Sequence, residues 1–358
     1  MDCVALTIGV LDQSPVAEGA TGADALHNTI DLARLADDLG YHRYWVAEHH
    51  GGPMLASAAP EVLIGPIAAA TRSIRVGSGG VMLPHYSPFK VAEAFSILAA
   101  LYPGRIDLAL GRASGTDPLT TFALQRDRSK AMVDDFPQQL AELLAYFEDE
   151  LPPEHPFVRL PKFLPGRPHT PDVWLLGSSP QSAVWAAQLG LPYAFADFIN
   201  PDGVEIVRSY QEQFADGVRA PRPHTLVAAW VICAETDAEA QRLAASSRMT
   251  LRLLRRGQLI AVPPPEKALR YLESEGVDAA GRSDPAPARR GIIGSPDTVK
   301  AGLEDLAQAY GADELMVVTI THDHGARRRS YELIAEAFGL ERGQAPERSA
   351  SMPPIVPM

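Results

Sequence analysis

Read from its N-terminus, the chain alternates between short apolar runs and longer stretches whose apolar residues recur at helical spacing. Leu6 to Leu11 is one such run, and it ends at the polar Asp12-Gln13-Ser14-Pro15; Ala23 to Leu39 then carries the helical spacing as far as Gly40. A strand, a loop and a helix are predicted, with Gly40 as the helix stop. The unit repeats at Arg43–Ala47 with Pro60–Thr71, at Ile74–Pro84 with Pro88–Leu101, and at Arg105–Arg112 with a helix from about Ser129 to Glu150. Four more strands are predicted at Val173–Leu176, Tyr193–Ala196, Thr225–Ala234 and Glu314–Ile320, with helices at Gln181–Leu189, Val204–Phe214, Asp237–Leu254, Thr298–Ala309 and Arg327–Phe338. Strands that are apolar along nearly their whole length are buried on both faces, as in a parallel sheet. Eight of them alternating with helices predict an α/β fold, a (β/α)8 TIM barrel with insertions after strands 4 and 7. The alternative is an open doubly wound sheet, which no G-x-G-x-x-G after the first strand supports.

Two stretches break the rhythm. Leu151 to Asp172 is dense in Pro without periodicity and reads as an inserted loop. Arg255 to Gly294, with Pro263-Pro264-Pro265 and Pro285-Ala286-Pro287, has the length of a lid or a disordered loop, and 258–294 is the candidate lid. Residues 1–340 therefore read as one barrel domain, and the polar, Pro-rich 341–358 as a flexible tail.

Composition narrows the partners. The net charge of −12 repels phosphate backbones and no basic stripe reverses it, so no nucleic acid is expected. Cys3 and Cys233 are the only cysteines, too few for a disulfide framework or a cysteine-built metal site. The opening Met-Asp-Cys-Val-Ala-Leu has no basic region, and no apolar run reaches the roughly 18 residues that span a bilayer. The expectation is a cytoplasmic protein with no membrane segment.

A barrel of this kind builds its site at the carboxyl ends of the strands, so the residues at those tips carry the argument. Strand two is the richest, because Tyr44-Trp45-Val46-Ala47 runs into Glu48-His49-His50-Gly51-Gly52. A histidine takes and returns a proton near neutral pH. If extended geometry continues, His49 and His50 point to opposite sides and one faces the pocket. The competing reading is a core histidine held by Glu48.

Gly79-Gly80 removes two side chains from strand three, so that either a flat ring approaches bare backbone or the strand bulges. Gly177-Ser178-Ser179-Pro180-Gln181-Ser182 follows strand five and opens a helix, where free N–H groups, the helix dipole and hydroxyls suit a phosphate. A plain serine N-cap accounts for the same residues. Arg112 supplies a cation for that anion or a surface ion pair. Finally, His322-Asp323-His324 together with His49 and His50 raises a metal-dependent hydrolase, although strand one offers no His-x-His; Asp323 and His324 also suit the start of the last helix.

Together, Glu48-His49-His50, Val76-Gly77-Ser78-Gly79-Gly80-Val81-Met82-Leu83-Pro84 and Gly104-Arg105-Ile106-Asp107-Leu108-Ala109-Leu110-Gly111-Arg112 make a pattern. Over residues 4 to 340 the chain resembles the bacterial luciferase-like flavin monooxygenases, and Thr321 through Arg328, Ser330 and Tyr331 resembles their single-chain, non-luminous branch. The resemblance implies a homodimer that takes reduced FMN from a separate flavin reductase, forms a C4a-hydroperoxide with O2 and oxygenates a small organic substrate. It makes His49 the catalytic histidine, with Glu48 and His50 as its neighbours. Gly79 and Gly80 match a non-prolyl cis peptide beneath the flavin; Arg112 and Ser114 match the arm that reaches the FMN phosphate, and Ser178, Ser179 and Ser182 match the phosphate turn. Two departures stand out. Gly111 occupies the position of a reactive cysteine in luciferase's catalytic subunit, and Asp197 replaces an aromatic near the flavin, so light emission from a long-chain aldehyde is not expected and a different, more polar substrate is. A deazaflavin-dependent oxidoreductase on the same barrel and a noncatalytic flavin-binding subunit are the remaining alternatives.

Overall fold

The computed structural model describes residues 6–112, 117–129, 134–216, 219–277 and 291–341. Its strands are β1 (Thr7–Asp12), β2 (Arg43–Val46), β3 (Arg75–Met82), β4 (Ile106–Gly111), β5 (Asp172–Gly177), β6 (Tyr193–Ala196), β7 (Thr225–Cys233), β8 (Gly291–Gly294) and β9 (Glu314–Val318). β1 to β7 pair in succession and in parallel, and β9 closes the ring by pairing with both β7 and β1. The result is the closed parallel eight-stranded barrel that the strand–helix alternation predicts. β8 stands outside the ring, paired with the far end of β7 from Trp230 to Cys233.

The helices are α1 (Gly22–Leu39), α2 (Pro60–Ala70), α3 (Pro88–Leu101), α4 (Pro118–Leu124), α5 (Phe136–Glu148), α6 (Pro180–Leu189), α7 (Val204–Glu212), α8 (Asp237–Arg255), α9 (Pro265–Ser274), α10 (Pro296–Tyr310) and α11 (His324–Phe338). Many begin on a proline, whose missing N–H costs nothing in the first turn. Gly40 ends α1 as predicted, at φ 89° with its N–H donating to the Ala36 carbonyl. The predicted helix from about Ser129 is shorter than expected, since α5 begins at Phe136 behind Pro137 and the short α4 occupies part of the preceding loop.

Alternation along each strand separates two cores. Val10, Tyr44, Val46, Val76, Leu108 and Leu175 point outward and pack under the helices, while Leu11, Trp45, Ala47, Ala109, Trp174 and Met316 point into the barrel. The barrel's amino-terminal end is closed by charge. Arg43, 4% exposed, donates to Asp107 Oδ2 at 2.6 Å and through Nε and Nη2 to Glu314 at 2.7 and 2.8 Å. Its guanidinium carbon sits 4.6 Å from the Trp174 ring centroid, and the Trp45 indole N–H donates to the same Asp107 oxygen at 2.8 Å. Gly9 makes room for this arginine, because a Cβ there would lie 2.8 Å from Arg43 Cγ. Burial pushes the Glu314 carboxyl upward, but the hydrogen bond from His224 and the charge of Arg43 outweigh it and bring it down to about 2.

Both insertions contain more order than their composition suggests. In the first, Leu160–Phe163 forms a 3-10 turn, and the Gly166 N–H donates to Ser96 Oγ at 2.8 Å. In the second, α9 packs Ala268 and Leu272 against Ala245, Met249 and Leu253 of α8, and Val262 exchanges backbone hydrogen bonds with Val16 and Glu18. Residues 278–290 of the candidate lid and 342–358 of the predicted tail lie outside the described residues. Among the described residues no helix is long and apolar enough to cross a membrane.

Removing Arg43 takes a guanidinium from two buried carboxylates, leaving Asp107 to Arg75 and Glu314 to His224, so Arg43→Ala should lower the unfolding free energy by about 3 kcal/mol in a urea titration. The Glu314 shift has a sign of its own. A carboxyl depressed in the folded state stabilises fully above its unfolded value of 4.5, and that contribution disappears as pH falls toward about 2. Glu314→Gln should therefore flatten this part of the acid limb of the stability profile; an unchanged limb would contradict the assignment.

Candidate functional site

At the carboxyl ends of the strands the inward positions are small. Ala47, Gly79, Ala194, Ala196 and Ala228 leave a deep cavity of about 160 Å³ whose floor includes Leu11, Trp45 and Met316. It adjoins an outer cavity of about 450 Å³ walled by Met54, Leu55, Trp230, Leu251 and Ile320. Gln13, His49, Phe198 and Ile199 border both. Larger hollows of about 990 and 680 Å³ lie toward the amino ends of the strands, along residues such as Thr7 and His42 or Arg43 and His224. Those are wider and shallower, and the barrel's chemistry belongs at the opposite end.

β2 stops at Val46, and backbone bonds then carry the chain onward: the Ala47 N–H donates to the Asp12 carbonyl at 2.9 Å and the His49 N–H to the Ser57 carbonyl at 2.8 Å. His50 lies on the side of Glu48, two residues before it, while His49 lies with Ala47 toward the inner cavity. Both reach the outer cavity, and only His49 also reaches the inner one. Glu48 is 2% exposed and pairs with His50 rather than His49: Oε1 meets His50 Nε2 at 2.7 Å, and Oε2 accepts the Met82 N–H at 2.9 Å. The Tyr86 hydroxyl donates to the same carboxylate. Burial raises the Glu48 carboxyl above its ordinary value, and the bonds from His50, Met82 and Tyr86 pull it only part of the way back. Behind this pair, burial and the charges of His50 and Arg126 lower His85, whose ring stands 6.1 Å from that of His50.

The Gly79-Gly80 peptide bond is cis, and the β3–β4 register shifts between Gly79 and Val81. Bare backbone on the inner cavity and a strand irregularity are thus the same feature. A Cβ on Gly80 would lie 2.5 Å from the Ala109 carbonyl oxygen, whereas one on Gly111 would meet the mobile ends of Met82 and Leu176 at 2.8 and 3.0 Å.

On the next strands, Ser179 caps α6, accepting the Ser182 N–H at 3.4 Å. Ser182 braces this turn from beneath, its hydroxyl donating to the Ser179 carbonyl at 2.8 Å and lying 2.9 Å from the Tyr193 hydroxyl. Asn200 Nδ2 donates to the Ser178 carbonyl at 2.9 Å. Arg112 is half-exposed, with its guanidinium 5.6 Å from the ring of Trp185 on α6 and 3.3 Å from Asp134 Oδ2. Arg112 and the serine turn therefore flank the same helix. Ser114 lies outside the described residues.

Asp197, expected near the flavin in place of an aromatic, borders neither cavity. Asp197 is buried with Oδ1 accepting the Tyr310 hydroxyl at 2.8 Å, and Phe198 is the residue that borders both cavities. Strand parity carried this signal: Ala194 and Ala196 face inward, so 198 does and 197 does not. Trp230, inward from β7, was likewise unmarked by any motif. The last strand's cluster disperses, since Asp323 caps α11, His324 pairs with Asp31 at 2.9 Å and His322 Nε2 lies 3.3 Å from the Glu18 carbonyl. Among the described residues no group of three His, Cys, Asp or Glu is placed to hold a metal ion.

A parallel barrel with a two-part apolar pocket and an acid–base cluster at its strand tips has the layout of a barrel enzyme's active site. The chain belongs to the luciferase-like monooxygenase family, whose model matches residues 6–314. It is 38% identical over 336 residues to N-acetyl-S-alkylcysteine monooxygenase of Bacillus subtilis, covering 93% of this chain and 98% of that one. The solved apo-MsnO8 superposes with a TM-score of 0.84 at 44% identity, covering 94% and 98% of the two chains. The oxygenating constituent of 3,6-diketocamphane monooxygenase from Pseudomonas putida, solved in complex with FMN, shares the fold at a TM-score of 0.68 and 21% identity over 93% and 97%.

The two glycine environments give a test. Gly80→Ala must move backbone and should cost about 1–3 kcal/mol, while Gly111→Ala displaces only flexible side-chain ends and should cost less. Comparable melting temperatures for the two variants would contradict the packing described.

Proposed function

We propose that the chain is a flavin-dependent monooxygenase that takes reduced FMN from a separate reductase and uses O2 to oxygenate a small organic substrate. The observation that carries this reading is the meeting of His49 and the bare Gly79-Gly80 edge on one apolar cavity that opens into a second. The inner cavity fits a flat aromatic ring, because its walls are apolar and Gly79 adds no side chain to them. Family membership and the FMN complex of a protein of the same fold support the choice of cofactor. When bound, reduced FMN supplies the two electrons that activate O2.

In this reading each of the chain's residues has a separate task. His49 borders both cavities and holds or takes a proton where they meet. Glu48 and His50 neutralise one another beside it and, through the Met82 N–H, fix the end of β3. Ser178 and Ser179, with the first N–H groups of α6, hold the phosphate while Arg112 supplies the compensating charge. Phe198, Ile199, Met54 and Leu55 exclude water from the junction.

Mixing the protein with photoreduced FMN under nitrogen and then admitting air is the direct test. Tight binding and a reoxidation rate unlike that of free FMNH2 are expected. Reoxidation at the free rate with no flavin binding overturns the reading, and binding of a deazaflavin in its place moves it to hydride transfer. His49→Ala should lower turnover by about 10²- to 10⁴-fold with little change in flavin affinity. Arg112→Ala should do the reverse, and equal effects of both variants on both quantities would contradict these roles.

A further inference from the structure

We infer that Gln13 selects the substrate, binding through its carboxamide an uncharged oxygen function, such as a carbonyl or hydroxyl, on an otherwise apolar molecule. The inference rests on the reading of this pocket as an oxygenase site. Gln13 ends β1's run into the pocket and borders both cavities, yet none of the tasks assigned above uses it. It is 6% exposed, and its side chain makes no hydrogen bond to another described residue. Its amide atoms are open to the cavity rather than sealed, so a ligand that fills the cavity and displaces water must supply their hydrogen bonds.

Its direction is fixed from both sides. The Asp12 carboxylate is gripped by Arg327 Nη2 at 2.5 Å, the Tyr44 hydroxyl at 2.5 Å and the Ser14 N–H at 2.7 Å. Ser14 adopts φ 49°, a left-handed conformation rare for a side-chain-bearing residue, and its hydroxyl lies 2.7 Å from that of Thr29. The Gln13 carbonyl accepts Ser57 Oγ at 3.2 Å. With the backbone held on both flanks, the carboxamide is presented at the seam between the cavities.

Apart from His49, whose task is assigned above, the other hydroxyl, carboxylate and imidazole groups lining the outer cavity are already engaged. Ser247 and Thr250 donate to the carbonyls of Ala244 and Ser246 at 3.0 and 2.8 Å, and Asp117 caps α4. His50 is paired with Glu48. Among the described residues no lysine or arginine lines either cavity, so an anionic substrate would lie there without such a countercharge, near Glu48 and Asp117. An amide both donates and accepts, which suits a neutral oxygen function and discriminates against an analogue lacking it.

The test is calorimetric titration of the full-length protein, without flavin, by acetophenone, ethylbenzene and benzoate. Because no flavin is present, failure of the flavin reading leaves the result intact, and the converse also holds. Wild type should bind acetophenone most tightly and benzoate at least about ten-fold more weakly. Gln13→Leu should weaken acetophenone by about five- to ten-fold and leave ethylbenzene within about two-fold. Gln13→Glu, which keeps the shape but removes the donor, should reproduce the selective loss and guards against misfolding of the leucine variant. Equal loss for both neutral probes, no loss for acetophenone, benzoate binding as tightly as acetophenone, or no binding of either neutral probe to wild type would each overturn the inference.

Discussion

Arg43, buried at the amino-terminal end of the barrel between Asp107 and Glu314, is the constraint on which the rest of the interior depends. A charge in so dry a place persists only when fully paired, so the strands that bring Asp107 and Glu314 must hold their register around it. Trp45 and Trp174 stack above and beside the ion group, 5.4 Å apart with planes near perpendicular. With that end filled by bulky side chains, the series of alanines and glycines leaves the deeper, more enclosed space at the other end. The pocket is thus a consequence of how the base is plugged.

Within the pocket, electrostatics and shape are divided among neighbours. Glu48 and His50 satisfy one another and the end of β3, which leaves His49 to face both cavities. Asp12 and Arg327 form a second buried pair behind the β1 tip, each answering the other's desolvation. Two ion pairs thereby set the walls, while the cavity surfaces remain largely apolar.

Much of this was legible in the amino-acid sequence. The eight barrel strands follow from apolar runs at regular spacing, and Glu48-His49-His50, Gly79-Gly80 and the serine turn announced themselves because polar or side-chain-free residues are out of place at the tip of a buried strand. What escaped was whatever depends on partners distant in the chain. β8 is two isoleucines between glycines, too short for any periodicity, and exists because β7 offers it an edge. The partnership of Glu48 with His50 and the bond of Asp197 to Tyr310 follow the alternation of the strands, but which partner each meets depends on residues brought up by the fold, which composition does not record. Arg43 read as an ordinary strand-start arginine, since its countercharges lie 64 and 271 residues away.

The backbone bonds between Val262 and the loop of Val16 and Glu18 join the second insertion to the segment that follows Gln13. The outer cavity accordingly has two kinds of wall. One is barrel, fixed by strand register; the other is α8, packed on β7, and the stretch through Gly257 and Leu259, which is joined to the loop after β1 by the Val262 bridge and the Lys267–Glu18 ion pair. Among the described residues the inner cavity draws on none of that insertion. Changes in the insertion's length or sequence can therefore reshape what is bound in the outer chamber while the ring-sized chamber beneath stays as it is, a division that lets one scaffold serve a series of substrates.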